Sequence, residues 1–164
     1  MHVECSYCGA RLADKEPLGD LRTSHGTCDG CWDAKVLPET LKAILPDSID
    51  PATPVLVVNG DGRIVGANGA AEQMTGRVPR DLGLLGGDYM GCMFALVEGG
   101  CGKTSHCDTC TIRLAVMATL GGNPCEQLPV FLRREDQYLK LIISTKADQG
   151  LVQVTVHRVA PAEP

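Results

Sequence analysis

The hydrophobic rhythm of the chain changes several times, and each change marks an element. Residues 54–59, "PVLVVN", form an unbroken apolar run, "GDG" interrupts it, and "RIVGAN" over 63–68 follows. Two short apolar runs around a glycine turn predict a β-hairpin. Residues 69–86, "GAAEQMTGRVPRDLGLLG", predict short helical pieces punctuated by Gly and Pro. "CTIRLAVMATLGG" over 110–122 predicts a helix closed by a glycine in the left-handed cap. Three runs finish the chain: "EQLPVFLRR", "YLKLIIST" and "LVQVTVHRV". In the last, Val152, Val154 and Val156 alternate with Gln153, Thr155 and His157, the period of a strand with one buried face. Two strands, helices and three strands predict an α+β fold, a five-stranded antiparallel sheet with helices on one face.

The first third is patterned differently. Residues 35–45, "KVLPETLKAIL", space Val36, Leu37, Leu41, Ile44 and Leu45 as a helix does, with Pro38 suited to its first turn. "PDSIDPATP" then reads as a linker. Residues 1–34 show little periodicity, and so short a segment usually needs a metal or disulfide to fold. The expected plan is a cysteine-rich module at 1–34, a linker helix and linker at 35–53, the α/β unit at 54–159 and a tail at 160–164.

Composition narrows the function. Apolar residues make up 44% of the 164 and charged residues 21%, which is globular. A net charge of −5 without a Lys/Arg run argues against a nucleic-acid partner. No apolar run approaches a membrane span. The start, "MHVECSYCGA", lacks the basic and apolar regions of a secretory signal, so a cytoplasmic location is expected. Nine cysteines are many for a reducing compartment, where such clusters bind metal or catalyse more often than they pair.

The cysteines fall into two sets of four, with Cys125 left over as a small buried residue. The first set is Cys5-x2-Cys8-x19-Cys28-x2-Cys31. Two C-x2-C knuckles at this separation are a structural zinc signature, because each turns two sulfurs toward one point and the pair completes a tetrahedron. His25 is expected to cap or hydrogen-bond a sulfur, and Trp32 to shield the knuckle. The second set is Cys92-x8-Cys101-x5-Cys107-x2-Cys110. Cys107 and Cys110 are expected on one face where the helix begins, a position that lowers thiol pKa. Gly99, Gly100 and Gly102 are expected to let the backbone bend round Cys101 and donate N–H bonds to sulfur, as cluster-bound sulfurs accept. Ligand chemistry leaves an iron–sulfur cluster, a second zinc, and reduced thiols or a switching disulfide open. Beside this set, His106 and Lys103 read as solvated loop residues, with His106 and Gly102 held as possible neighbours of the bound group.

"GKT" at 102–104 resembles the end of a phosphate-binding loop, but that loop needs a glycine where Val97 stands. Asn59 and Asp61 are explained by turn chemistry, and His157 by an exposed strand face. Met74, Met93 and Met117 are expected to pack the core, or to line a ligand pocket between sheet and helices.

Residues 54–159 resemble a PAS domain, through "PVLVVNGDGRIVGANGAAEQMTG" and the closing "GLVQVTVHRV". "GCGKTSHCDTCTIR" looks like an insert in PAS domains of sensory proteins from anaerobic bacteria, and "SHGTCDGCW" like half of a cysteine-rich module attached to such proteins. The resemblance implies a non-enzymatic sensory module that dimerises through a helix before its first strand and signals through a protein partner, such as a sensor kinase or other signalling protein. The expected function is redox or oxygen sensing through the second cysteine set. The rival expectations are a structural adaptor with two zinc sites, and a thiol oxidoreductase using Cys107 and Cys110.

Overall fold

The computed structural model describes residues 2–12, 14, 23–31, 50–78, 81–97 and 99–163. The chain divides into two compact units, residues 1–43 and 44–164. Trp32, the expected linker helix at Pro38–Leu45, and the side chain of His25 lie outside the described residues.

In the first unit, strands β1 (His2–Cys5) and β2 (Thr23–Gly26) run parallel, pairing His2 with Thr23 and Cys5 with Gly26. A single turn of helix, α1 (Asp29–Cys31), follows. Val3 and Cys5 are buried and their neighbour Glu4 is exposed, which is strand alternation over a very small core.

The second unit is the α+β fold expected from the alternation. Its strands are β3 (Val55–Val58), β4 (Ile64–Ala67), β5 (Leu128–Arg133), β6 (Tyr138–Asp148) and β7 (Leu151–Pro161). They form one antiparallel sheet in the order β4-β3-β7-β6-β5. The first hairpin is thus joined to the last strand, across the middle of the sheet. Between the hairpins lie α2 (Gly69–Thr75), α3 (Gly86–Met90), a 3-10 turn at Met93–Ala95, α4 (Ser105–Asp108) and α5 (Thr111–Leu120).

The core forms where these helices meet one sheet face. Leu56, Val58, Val130, Leu132, Leu141, Ile143, Val152, Val154 and Val156 pack with Ala71, Tyr89, Met90, Ala115 and Val116. Burying one such aliphatic side chain contributes about 1.5–3 kcal/mol. Val55 and Val57 lie outside that cluster and are buried as well. The strand that is apolar at every position is therefore covered on both faces.

Asn68 joins the hairpin to the first helix. Its Oδ1 accepts from the N–H groups of Ala71 and Val55, each at 3.0 Å, and its Nδ2 donates to the Thr53 carbonyl at 2.7 Å. One side chain thus caps α2 and anchors the start of β3. Asn59 shapes the hairpin turn, its Oδ1 accepting from Asp61 N and Arg63 N. The glycine closure of α5 is as expected: Gly121 follows the last helical residue, and Gly122, left-handed at φ +94°, donates its N–H to the Thr119 carbonyl at 3.0 Å. Two expectations are corrected. Met117 is 53% exposed rather than in the core. Cys110 caps α5 from outside while Cys107 belongs to the separate helix α4, so the pair does not share one helix face.

Candidate metal centres

The first cysteine set is gathered. The ligand atoms of Cys5, Cys8, Cys28 and Cys31 all lie within 4.8 Å of one another. The first knuckle closes by local bonds: Gly9, left-handed at φ +72°, donates its N–H to the Cys5 carbonyl at 2.9 Å. The second knuckle returns to the first through Cys28 N–H, which points at Cys5 Sγ from 3.4 Å. Cys8 Sγ and Cys28 Sγ stand 3.7 Å apart. A tetrahedron built on Zn–S bonds of about 2.3 Å has edges of roughly 3.8 Å, so the sulfurs fit a single tetrahedral ion.

The electrostatics are those of thiols crowded at one point. The backbone N–H of Cys28, then that of Tyr7, lowers Cys5 to about 6. Hydrogen bonding to Cys28, then burial, pushes Cys31 up to about 12. Without a cation the set keeps a proton on Cys31 rather than concentrate thiolate charge, and a divalent ion would displace it.

The second set is arranged otherwise. Among the described residues the first set is the one group of three or more His, Cys, Asp or Glu ligands within 4.8 Å of one another, so Cys92, Cys101, Cys107 and Cys110 are not drawn to that spacing. They remain electrostatic neighbours. Burial pushes the Cys92 thiol up, and the charges of Cys110 and Cys107 add to it. Burial also raises Cys101, with Cys107, Asp88 and Cys92 adding to it.

Two of these sulfurs accept glycine N–H groups. Gly87 N, in α3, donates to Cys101 Sγ at 3.3 Å, and Gly102 N donates to Cys107 Sγ at 3.1 Å. The expectation that glycines would donate to sulfur is met by Gly102, but toward Cys107. The donor to Cys101 is Gly87, fourteen residues earlier, which no local pattern marks. Gly87 also accepts the Cys92 N–H on its carbonyl at 2.8 Å, so one residue holds two members of the set. At Cys107 burial, the largest single influence, pushes the thiol up. The Thr104 hydroxyl and the N–H groups of Thr104, Gly102 and Lys103 together outweigh it and hold the thiol below its usual value.

His106 stacks on Phe94, ring centroids 3.9 Å apart and planes 17° from parallel. The stack joins the turn after Cys92 to the helix that carries Cys107, so His106 is not merely a solvated loop residue. Cys125 is partly buried against the core and meets the Thr145 hydroxyl at 3.2 Å, beside open hollows of about 480 and 300 Å³. His157 is exposed and bonds Ser144 Oγ at 2.7 Å. Among the described residues no helix is long and apolar enough to cross a membrane.

No protein-family model matches the chain, and no curated protein does. Similar solved structures include a domain of the sensory box sensor histidine kinase/response regulator from Geobacter sulfurreducens, 10% identical with TM-score 0.47, over 74% of this chain and 93% of that one. A chain of the E. coli DhaR(N)–DhaL complex is 14% identical with TM-score 0.46, over 74% of this chain and 35% of that one. This chain thus spans about a third of that relative's length. The photoactive yellow protein domain from the sensor histidine kinase Ppr of Rhodospirillum centenum is 12% identical with TM-score 0.42, over 76% of this chain and 98% of that one. At these identities the likeness is one of fold alone.

Proposed function

We propose that the chain is a non-catalytic, PAS-like sensory module in which Cys92, Cys101, Cys107 and Cys110 hold an iron–sulfur cluster, while Cys5, Cys8, Cys28 and Cys31 hold a structural zinc. The carrying observation is that Cys101 and Cys107 each accept a glycine N–H, from Gly87 and Gly102. Backbone N–H donors stabilise anionic sulfur and tune the reduction potential of cluster-bound thiolates. A spacing wider than that of the first set is compatible with the same choice. The cysteines of a polynuclear cluster bind separate irons, so their sulfurs stand further apart than those round one zinc ion. Bound there, such a cluster supplies a redox- and oxygen-sensitive link between the four thiolates.

The chain's own part is mechanical. Cys101 is tied to Gly87 through its sulfur and Cys92 to the same residue through its backbone N–H, so a change at the Cys101 sulfur is felt by α3 and by the backbone of Cys92. Cys107 is tied to the Gly102 segment, and Cys110 stands at the N-cap position of α5 with its carbonyl accepting the Leu114 N–H at 2.9 Å, while α5 packs on the sheet. A change of order in these segments biases the sheet surface, and the state passes in the cytoplasm to a signalling protein such as a sensor kinase, or through a homodimer. The thiol-oxidoreductase reading gains from the lowered Cys107 pKa but is opposed by that residue's burial, at 8% exposure. Elemental analysis of anaerobically prepared protein tests the proposal. Iron and inorganic sulfide lost in Cys101→Ser, with zinc retained, supports it, and two zinc ions per chain without iron favours the adaptor.

A further inference from the structure

The helix α3 carries both ties to the second cysteine set, yet it has only five residues and cannot hold its place by its own hydrogen bonds. Its last carbonyls lack helical partners, as at every helix C-terminus. Here two arginines from elsewhere in the fold supply them. Arg77, just beyond the left-handed cap of α2 at Gly76, donates Nε to the Tyr89 carbonyl at 3.0 Å and Nη2 to the Asp88 carbonyl. Arg134, in the turn between β5 and β6, donates Nε to the Met90 carbonyl at 3.1 Å and Nη2 to the Met74 carbonyl, in α2, at 3.3 Å. Its own N–H closes that turn on the Gln137 carbonyl at 2.7 Å. Three consecutive carbonyls are thus gripped by partly buried guanidinium groups, whose rigid forks hold two acceptors in a fixed relation.

We infer that Arg134, with Arg77, is a positioning residue of the second cysteine site: through α3 it sets where Gly87 stands between Cys92 and Cys101, and it couples both to the turn between β5 and β6. Arg134 touches neither sulfur; it acts through Gly87. The inference rests on the proposed function only in naming that site as the sensing one, since the guanidinium contacts exist whatever the thiols bind. It makes residues 134–137, the turn between β5 and β6, a place where a change at Cys101 is registered.

The test uses the full chain. In reduced, metal-free protein, Arg134→Gln is expected to raise iodoacetamide labelling of Cys92 and Cys101 about tenfold, the change expected when a charge-assisted hydrogen bond holding a local structure is lost. Labelling of Cys125, and of every thiol in the neighbouring control Arg133→Gln, is expected to stay as in the parent. Arg134→Lys keeps the charge but loses the two-carbonyl bridge. It is expected to show the same confined rise, and it serves if the glutamine variant does not fold. Unchanged labelling, or a rise shared by Cys125, overturns the inference. In a second arm, anaerobic loading with ferrous iron and sulfide is expected to slow amide exchange over 134–137 in the parent and not in Arg134→Lys. Equal slowing in both overturns the coupling. If the parent takes up no iron, the proposed function fails while the labelling result still decides the role of Arg134.

Discussion

Gly87 stands with its N–H 3.3 Å from Cys101 Sγ, and a β-carbon at Gly87 would lie 2.7 Å from that sulfur and 3.1 Å from the cysteine's own Cβ. No side chain fits between helix and thiol. Gly87→Ala is therefore expected to push Cys101 out of place, at the cost of about 1–3 kcal/mol typical of overpacking. The second unit should still fold, with a lower melting temperature, while metal at the second set is lost and zinc at the first is kept. Thermal denaturation and metal content of the same preparation check this.

The zinc proposed for the first set would bind with a proton signature. The depressed pKa of Cys5, near 6, means that its thiolate stabilises the metal-free unit fully above the ordinary thiol range, and that this is lost as pH falls through about 6. Cys31 is the opposite case. Its raised pKa favours the neutral thiol, a contribution present below the ordinary range and lost as pH rises through about 12. At pH 7 Cys5 is mostly ionised already and Cys31 is not. Calorimetry in buffers of different ionisation enthalpy is expected to show fewer than four protons released per zinc bound, with affinity falling as pH drops toward 6. Release of all four would mean that Cys5 is an ordinary thiol.

Asn68 holds three backbone groups with one amide. Asn68→Ala removes the cap of α2 and leaves Val55 N–H and the Thr53 carbonyl without that partner. The expected loss is about 2 kcal/mol. Because the residue is remote in sequence from both cysteine sets, urea denaturation should shift while metal content stays constant.

What was legible in the chain follows from range. The alternation of Val152, Val154 and Val156 appears as three buried residues of β7, and the continuous run of β3 as a strand buried at every position, because strand periodicity is local. The knuckles of the first set were legible for the same reason: each C-x2-C is a turn. The second set was not, because its geometry is made by distant backbone. Gly87 reaches Cys101 across fourteen residues, and Arg134 grips Met90 across forty-four. Nothing in the local pattern separates Gly87 from its neighbour Gly86, or Arg134 from the exposed Arg133. The split between α4 and α5 was also hidden, since "SHCDTCTIR" carries no helix-breaking residue, yet Thr109 leaves helical geometry at φ −109° and Cys110 becomes a cap.

The visible absorption spectrum of full-length protein, purified without oxygen and then exposed to air, tests the central claim most directly. Expected is a broad band near about 400 nm, the thiolate-to-iron charge-transfer region, which bleaches in air and is absent from Cys101→Ser. A colourless parent containing about two zinc ions per chain, unchanged by air, would contradict it.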